Sequence, residues 1–116
     1  MTSSTRPAPI FAALGDPTRL QLVDRLGRRG PASISALTRG TAMSRQAVTK
    51  HLRVLADAGL VADTRQGREH VWALRAAPLR EVAEWVEQYR AQWEERLDRL
   101  ESYLATLPPE PQDEQP

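Results

Sequence analysis

Residues 43–61 read MSRQAVTKHLRVLADAGLV and carry Arg45, Gln46, Thr49, Lys50 and Arg53 at helix-compatible spacing. These side chains offer a forked guanidinium, a carboxamide that can donate and accept, a hydroxyl bearing a methyl group, an ammonium and a second guanidinium. No acid interrupts the set before Asp57. A solvated helix face usually mixes acids with bases. Groups of these types match nucleic-acid bases, because Arg forks onto guanine, Gln pairs with adenine and the Thr methyl meets thymine. Lys50 and Arg53 lie on the same outer side and can hold phosphates or bases. For the helix taken alone, a plain solvated face is the competing reading. A second basic group follows, with Arg65 and Arg68 around Gly67 and then His70. A basic hairpin tip of this kind can touch phosphates or enter a minor groove; an ordinary solvated turn is the alternative.

The charge distribution agrees with a polyanion partner for one part of the chain. The whole sequence is +1, yet residues 17–76 hold 11 basic against 4 acidic residues, a net +7. The remainder holds 5 basic against 11 acidic, a net −6. A basic middle between acidic flanks directs a nucleic acid to the middle. The alternative is that arginine is simply the surface residue here, since 15 of the 16 basic residues are Arg. That bias, with abundant Ala and Leu, suggests a GC-rich bacterial genome.

These residues need a scaffold, and the chain of 116 residues is long enough for one core. Residues 1–8 are polar and Pro-containing and read as a mobile lead-in. A short helix from Ile10 to Leu14 ends at Gly15. Asp16 can cap the next helix and Pro17 suits its first turn. Leu20, Leu22, Val23 and Leu26 form its apolar side, and Gly27 and Gly30-Pro31 stop it. Ser33 caps a third helix, Ile34 to about Arg39, with Ile34 and Leu37 inward. Gly40-Thr41-Ala42-Met43 is a turn. Ser44 then caps the helix over 44–58, whose inward residues Val48, Leu52 and Leu55 are spaced four and three apart. Gly59 closes it in a left-handed cap. Leu60 to Arg65 and Glu69 to Leu74 read as a β-hairpin turning at Gln66-Gly67. The expected architecture is mainly α with a small β-hairpin wing (α+β): a winged helix-turn-helix with a long C-terminal dimerisation helix, spanning residues 9–107.

That last helix opens at Pro78. Leu79, Val82, Val86, Tyr89, Trp93, Leu97, Leu100, Leu104 and Leu107 follow at steps of three and four, a near-heptad stripe. A small domain cannot bury so long a stripe alone, which points to a second copy; the alternative is that its C-terminal half folds back over its own core. The expected dimer residues are Leu79, Val82, Val86, Tyr89, Trp93, Leu97, Leu100 and Leu104. Trp85, Tyr89 and Trp93 are read as interface packing in preference to a ligand pocket, so no effector is named. Pro108-Pro109 ends the helix, and 108–116 has the composition of a disordered tail.

Several functions are excluded or disfavoured. There is no cysteine, hence no disulfide, thiolate metal site or cysteine nucleophile. The two histidines, His51 and His70, sit in the reading helix and the wing, and too few nitrogen or sulfur ligands exist for a site, so no metal and no cofactor are expected. His51 falls between the inward and outward sides of its helix and is read as hydrogen-bonded locally. No apolar run approaches the ~18 residues of a membrane span, and the N-terminus reads as no signal peptide, so a cytoplasmic protein is expected. Catalytic motifs are lacking: no Ser/His/acid set at plausible spacing, no Gly-rich phosphate loop and no HExxH.

The ordered combination FAALGDPTRLQLVDRL, SRQAVTKHLRVLADAGLV and RQGREHVWAL resembles the ArsR-type winged helix-turn-helix repressors of bacteria, over about residues 10–105. The resemblance implies a homodimer on an inverted-repeat operator of double-stranded DNA, with recognition-helix contacts at Arg45, Gln46, Thr49 and Lys50 and the first helix joining the dimer interface; the helix N-terminus capped by Ser44 by itself favours a phosphate. Metal-sensing members carry cysteines on the third helix or Asp/His/Glu clusters on the terminal helices. Here ISALTRG has no Cys, and AEWVEQYRAQWEERLDRLESYL has no His and looks like the subgroup without metal motifs. A winged-helix protein-interaction module is the competing class; its outer helix face would be apolar or mixed in charge.

Overall fold

Asp16 sets the first corner of the chain. In the computed structural model, which describes residues 7–109, its Oδ2 accepts the backbone N–H groups of Thr18 and Arg19 at 3.0 and 3.1 Å. This caps α2 (Pro17–Arg29), after α1 (Ala8–Leu14) has ended at Gly15. Arg19 closes the corner from the other side, its Nε donating to Ala13 O at 2.6 Å, one of the carbonyls at the end of α1. The Arg19 N–H holds the Asp16 carboxyl below the ordinary carboxylate range, with help from the Arg19 and His51 charges. A depressed folded value means stability that is present above the unfolded pKa of ~3.9 and lost as pH falls through the folded value. We expect wild type to lose stability as pH falls below about 4 (the unfolded Asp value) more steeply than Asp16→Asn, which can still cap; parallel acid melts followed by circular dichroism check this.

α2 continues through Gly27 and stops at Gly30, whose φ is +85°. The expectation that Gly27 ends the helix is therefore corrected. Leu74 of the sheet lies against it: a Cβ at Gly27 would be in ordinary contact with Leu74 Cδ2 at 3.5 Å. Leu22, Val23 and Leu26 are buried as expected, but Leu20 points outward and is 52% exposed. Arg25 reaches from α2 to the next helix, Nη1 donating to Ala36 O at 2.9 Å. It passes over Gly40, where a Cβ would meet the same Nη1 at 2.7 Å.

After β1 (Ala32–Ser33), α3 (Ile34–Arg39) starts under a Ser33 cap, Oγ accepting the Ala36 N–H at 3.1 Å. The turn to the next helix is pinned by Thr41. Its hydroxyl donates to Thr38 O at 3.2 Å and accepts the Met43 N–H at 3.1 Å. α4 (Arg45–Asp57) follows, capped by Ser44. It ends in a Schellman arrangement: Gly59 has φ +78°, its N–H donates to Ala56 O, and the Leu60 N–H donates to Leu55 O, both at 2.9 Å.

The sheet has three strands in the order β1-β3-β2, all antiparallel, with β2 (Val61–Gln66) and β3 (Glu69–Leu74) forming the hairpin. Gln66 faces Glu69, so the two-residue connection is Gly67-Arg68, one residue later than expected. Gly67 holds φ +65° at the first central position, as a type II′ connection requires. β1 was not foreseen at all; it pairs Ala32 with Trp72 and Ser33 with Val71.

The core joins α1, α2, α3, α4 and the sheet through Ile10, Leu22, Leu26, Leu37, Leu52, Leu60 and Trp72 among others. α5 (Ala76–Thr106) begins two residues before Pro78, which sits in its first turn where the N–H groups have no intrahelical acceptor anyway. The chain divides into two compact units between Trp85 and Val86. In the first, Leu79 and Val82 pack on the core just described, and Trp85 stacks edge-on against Phe11 with centroids 5.4 Å apart. In the second, Arg90 forks onto Glu87 at 2.7–3.1 Å and reaches Glu94 at 3.0 Å. The proposed mobile lead-in (1–8) and disordered tail (108–116) fall almost wholly outside the described residues; of them, Pro7 is buried and Ala8 already begins α1.

Candidate nucleic-acid interface

The inward residues of α4 decide what its other side shows. Val48, Leu52 and Leu55 are all 0% exposed. This fixes the helix rotation and turns Arg45, Gln46, Lys50 and Arg53 to the outside, with Thr49 half-buried among them. Ser44 is exposed at the helix start, its Oγ accepting the Ala47 N–H at 3.1 Å. The first turn of α4 holds no acid, so the positive end of the helix dipole is not neutralised from within.

The wing stands beside this face. Arg45, Thr49 and Arg53 of α4 and Asp63, His70 and Trp72 of the sheet line a cleft of about 430 Å³, with Asp57 and Ile34 also in its wall. Thr49 and Arg53 further border an open groove shared with Gln46 and Lys50. The expected helix residues thus come together with one wing residue, His70. Arg65 and Arg68 are exposed on the hairpin, towards and at its tip.

Asp63 is the member that sequence reasoning missed. Its Oδ2 lies 3.0 Å from His70 Nδ1. The observed register places Arg65 opposite His70 and Asp63 opposite Trp72, so these four share a face of the hairpin. His70 is therefore held by a carboxylate and not free at the tip. His51 also has a distant partner where a local one was expected: its Nδ1 is 3.8 Å from Asp16 Oδ2, at the corner that starts α2.

Internal use of cations sharpens the charge pattern. Arg19 caps α1, Arg25 braces α3, and Arg28 pairs with Asp24 at 2.8 Å. Among the described residues, Arg45, Lys50, Arg53, Arg65 and Arg68 take part in no ion pair of this kind. Of the basic residues of 17–76 not used in these contacts, five lie on α4 and the wing, while Arg29, Arg39 and Arg75 are exposed elsewhere. No group of three or more His, Cys, Asp or Glu placed to hold a metal ion occurs among the described residues. None of their helices is long and apolar enough to cross a membrane.

The residues expected at a dimer interface divide between the two units. Leu79 and Val82 are half-buried against the chain's own core, and Tyr89 is half-buried. Val86, Trp93, Leu97, Leu100 and Leu104 are exposed, between 46% and 57%, joined by Tyr103 and Leu107.

Comparison with known proteins agrees with this geometry. A family described as a helix-turn-helix domain matches residues 14–64. The HTH-type transcriptional regulator YuzN of Bacillus subtilis is 39% identical over 85 residues, which is 67% of this chain and 92% of that one. An ArsR-like transcriptional regulator from Rhodococcus sp. RHA1 superposes with a TM-score of 0.68 at 36% identity, over 87% of this chain and 94% of the other. The homodimeric winged helix-turn-helix DNA-binding domain of Mb0332 from Mycobacterium bovis superposes with a TM-score of 0.59 at 25% identity, over 71% and 78%. With a capped outward helix, a wing beside it and relatives matched over most of their length, this chain belongs to the ArsR family of winged helix-turn-helix transcriptional regulators.

Proposed function

We propose that the protein is a homodimeric repressor that seats α4 in the major groove of an inverted-repeat operator and lays its wing on the adjacent backbone. One observation carries the reading: α4 turns Arg45, Gln46, Lys50 and Arg53 outward with no acid among them, over an inward row that is fully buried. An α-helix fits the ~12 Å major groove, and the N-terminal residues of a recognition helix meet the bases. That places Arg45 and Gln46 on base edges. Lys50, Arg53 and the Ser44 end of the helix take phosphates. Arg65 and Arg68 do the same from the wing, with His70 beside them.

One helix reads only a few base pairs. A second copy one DNA turn away, about 34 Å, supplies the rest, and the exposed stripe from Val86 to Leu104 is the surface for it. The Mycobacterium bovis domain, described as homodimeric, supports this arrangement. Residues 9–107 form the working unit; the site of action is the cytoplasm, without catalysis, metal or cofactor.

Footprinting on the DNA upstream of the protein's own gene tests the reading. Protection of a two-fold repeat is expected, with affinity falling by about 0.9 log units per log unit of salt for each phosphate neutralised. On that site Arg45→Ala is expected to cost ~1–3 kcal/mol, and far less on random DNA. Equal losses on both would remove base reading from Arg45.

A further inference from the structure

We infer that Thr49 reads a thymine through its methyl group, its hydroxyl proton being withheld from the DNA. The inference rests on the α4 reading above and names the base that the middle of the helix selects.

The Thr49 hydroxyl donates to Arg45 O, one turn back, at 2.9 Å. A threonine hydroxyl has a single proton, so that bond uses the only donor the side chain owns. What remains for a partner is the methyl group and the acceptor lone pairs of Oγ1. A helical threonine divides between two χ1 rotamers, and the bond to Arg45 O selects the one seen here. Swinging the hydroxyl outward would exchange it with the methyl and break the bond to Arg45. The local geometry therefore fixes which chemistry faces the duplex.

Position makes the methyl useful. Thr49 borders both the cleft towards the wing and the open groove with Gln46 and Lys50. It is half-buried while Arg45, Gln46, Lys50 and Arg53 are exposed. A short, half-buried side chain bearing this methyl thus stands among long, exposed polar arms. Only something that projects from the groove floor towards the helix can reach it. The C5-methyl of thymine does so in the major groove, and no other base carries such a group. The competing partner would be the adenine N6 or cytosine N4 amino group, donating to the Oγ1 lone pairs.

The test uses duplexes enriched by the full-length wild-type protein from a random-sequence pool, with each thymine replaced in turn by deoxyuridine. Uracil keeps every hydrogen-bonding group of thymine and lacks the methyl. One position per half-site is expected to weaken wild-type binding roughly fourfold, the value of one buried methyl-sized group. Thr49→Val, which keeps the methyl and discards the hydroxyl, is expected to retain both affinity and uracil sensitivity. Thr49→Ser is expected to bind about fourfold more weakly and to ignore uracil at that position. A wild-type scan with no sensitive thymine overturns the inference, and needs no variant to fold. So does Thr49→Val binding as poorly as Thr49→Ala, which would assign the work to Oγ1. Enrichment of no sequence, or Arg45→Ala binding the enriched duplex like wild type, defeats the parent reading as well; Arg45 sensitivity without thymine sensitivity defeats this inference alone.

Discussion

Leu52→Ala lowers the unfolding free energy by ~2–5 kcal/mol and takes DNA binding with it. Leu52 is 0% exposed and lies between Val48 and Leu55, equally buried, on the inward row of α4. A cavity there is walled by several elements of the same core, so it cannot close by moving one side chain. Domains of this size hold only ~5–15 kcal/mol in total, and the loss is a large share of it. Because the inward row alone sets the rotation of α4, slackening it also blurs the aim of Arg45 and Gln46. Val54→Ala is the control. Val54 is 38% exposed on the same helix and should cost well under ~1 kcal/mol. Urea melts of the two variants decide the matter. A Leu52→Ala loss no greater than that of Val54→Ala would show that α4 is not held by this row.

Local chemistry was readable wherever a residue acts on its own neighbourhood. Asp16, Ser33 and Ser44 accept the N–H groups that a cap must accept, and Gly59 takes the left-handed conformation that only a residue without a Cβ adopts cheaply. Val48, Leu52 and Leu55 declare their face by spacing alone. The rest depended on distant partners. β1 is two residues long and exists because β3 lies alongside it, which no period in its own sequence can announce. Gly27 reads locally as a stop, yet continuing the helix lets Leu74 pack against it. Leu20 has the right type and spacing for the core, but the elements that pack on α2 cover Leu22, Val23 and Leu26 instead.

The interface shows the same division. Which α4 side chains face outward follows from the buried row, so Arg45, Gln46, Lys50 and Arg53 were legible. What the wing presents beside them depends on register. Placing the turn at Gln66-Gly67 instead of Gly67-Arg68 shifts every cross-strand partner by two residues, so that Asp63 would stand directly opposite His70 and not, as observed, opposite Trp72. Asp63 was seen only as one of few acids in a basic segment; the structure sets it diagonal to His70 across the hairpin, 3.0 Å from its Nδ1. The basic excess likewise overstated the free charge, since Arg19 and Arg25 are occupied with backbone carbonyls that no sequence pattern connects to them.

The stripe on α5 carries the other large expected effect. Replacing both Leu97 and Leu104 with Glu should convert the protein to monomers in sedimentation at micromolar concentration. These residues are 56% and 55% exposed in the single chain, so the change removes no core contact and should leave the monomer fold nearly as stable as before. In a dimer the same positions would face each other across a seam, beside the acids Glu94, Asp98 and Glu101. New carboxylates there lose apolar burial and meet like charge, and both effects oppose association. The consequence for DNA follows from linkage. Two reading helices on one dimer make the second half-site an intramolecular partner, a gain of ~10²–10⁴ in affinity. Severing the seam should forfeit that factor on a two-fold site and leave binding to a single half-site unchanged. Circular dichroism of the variant separates this from unfolding. If the variant still sediments as a dimer, the interface lies elsewhere; if the monomer binds the two-fold site like wild type, the copies do not act together on DNA.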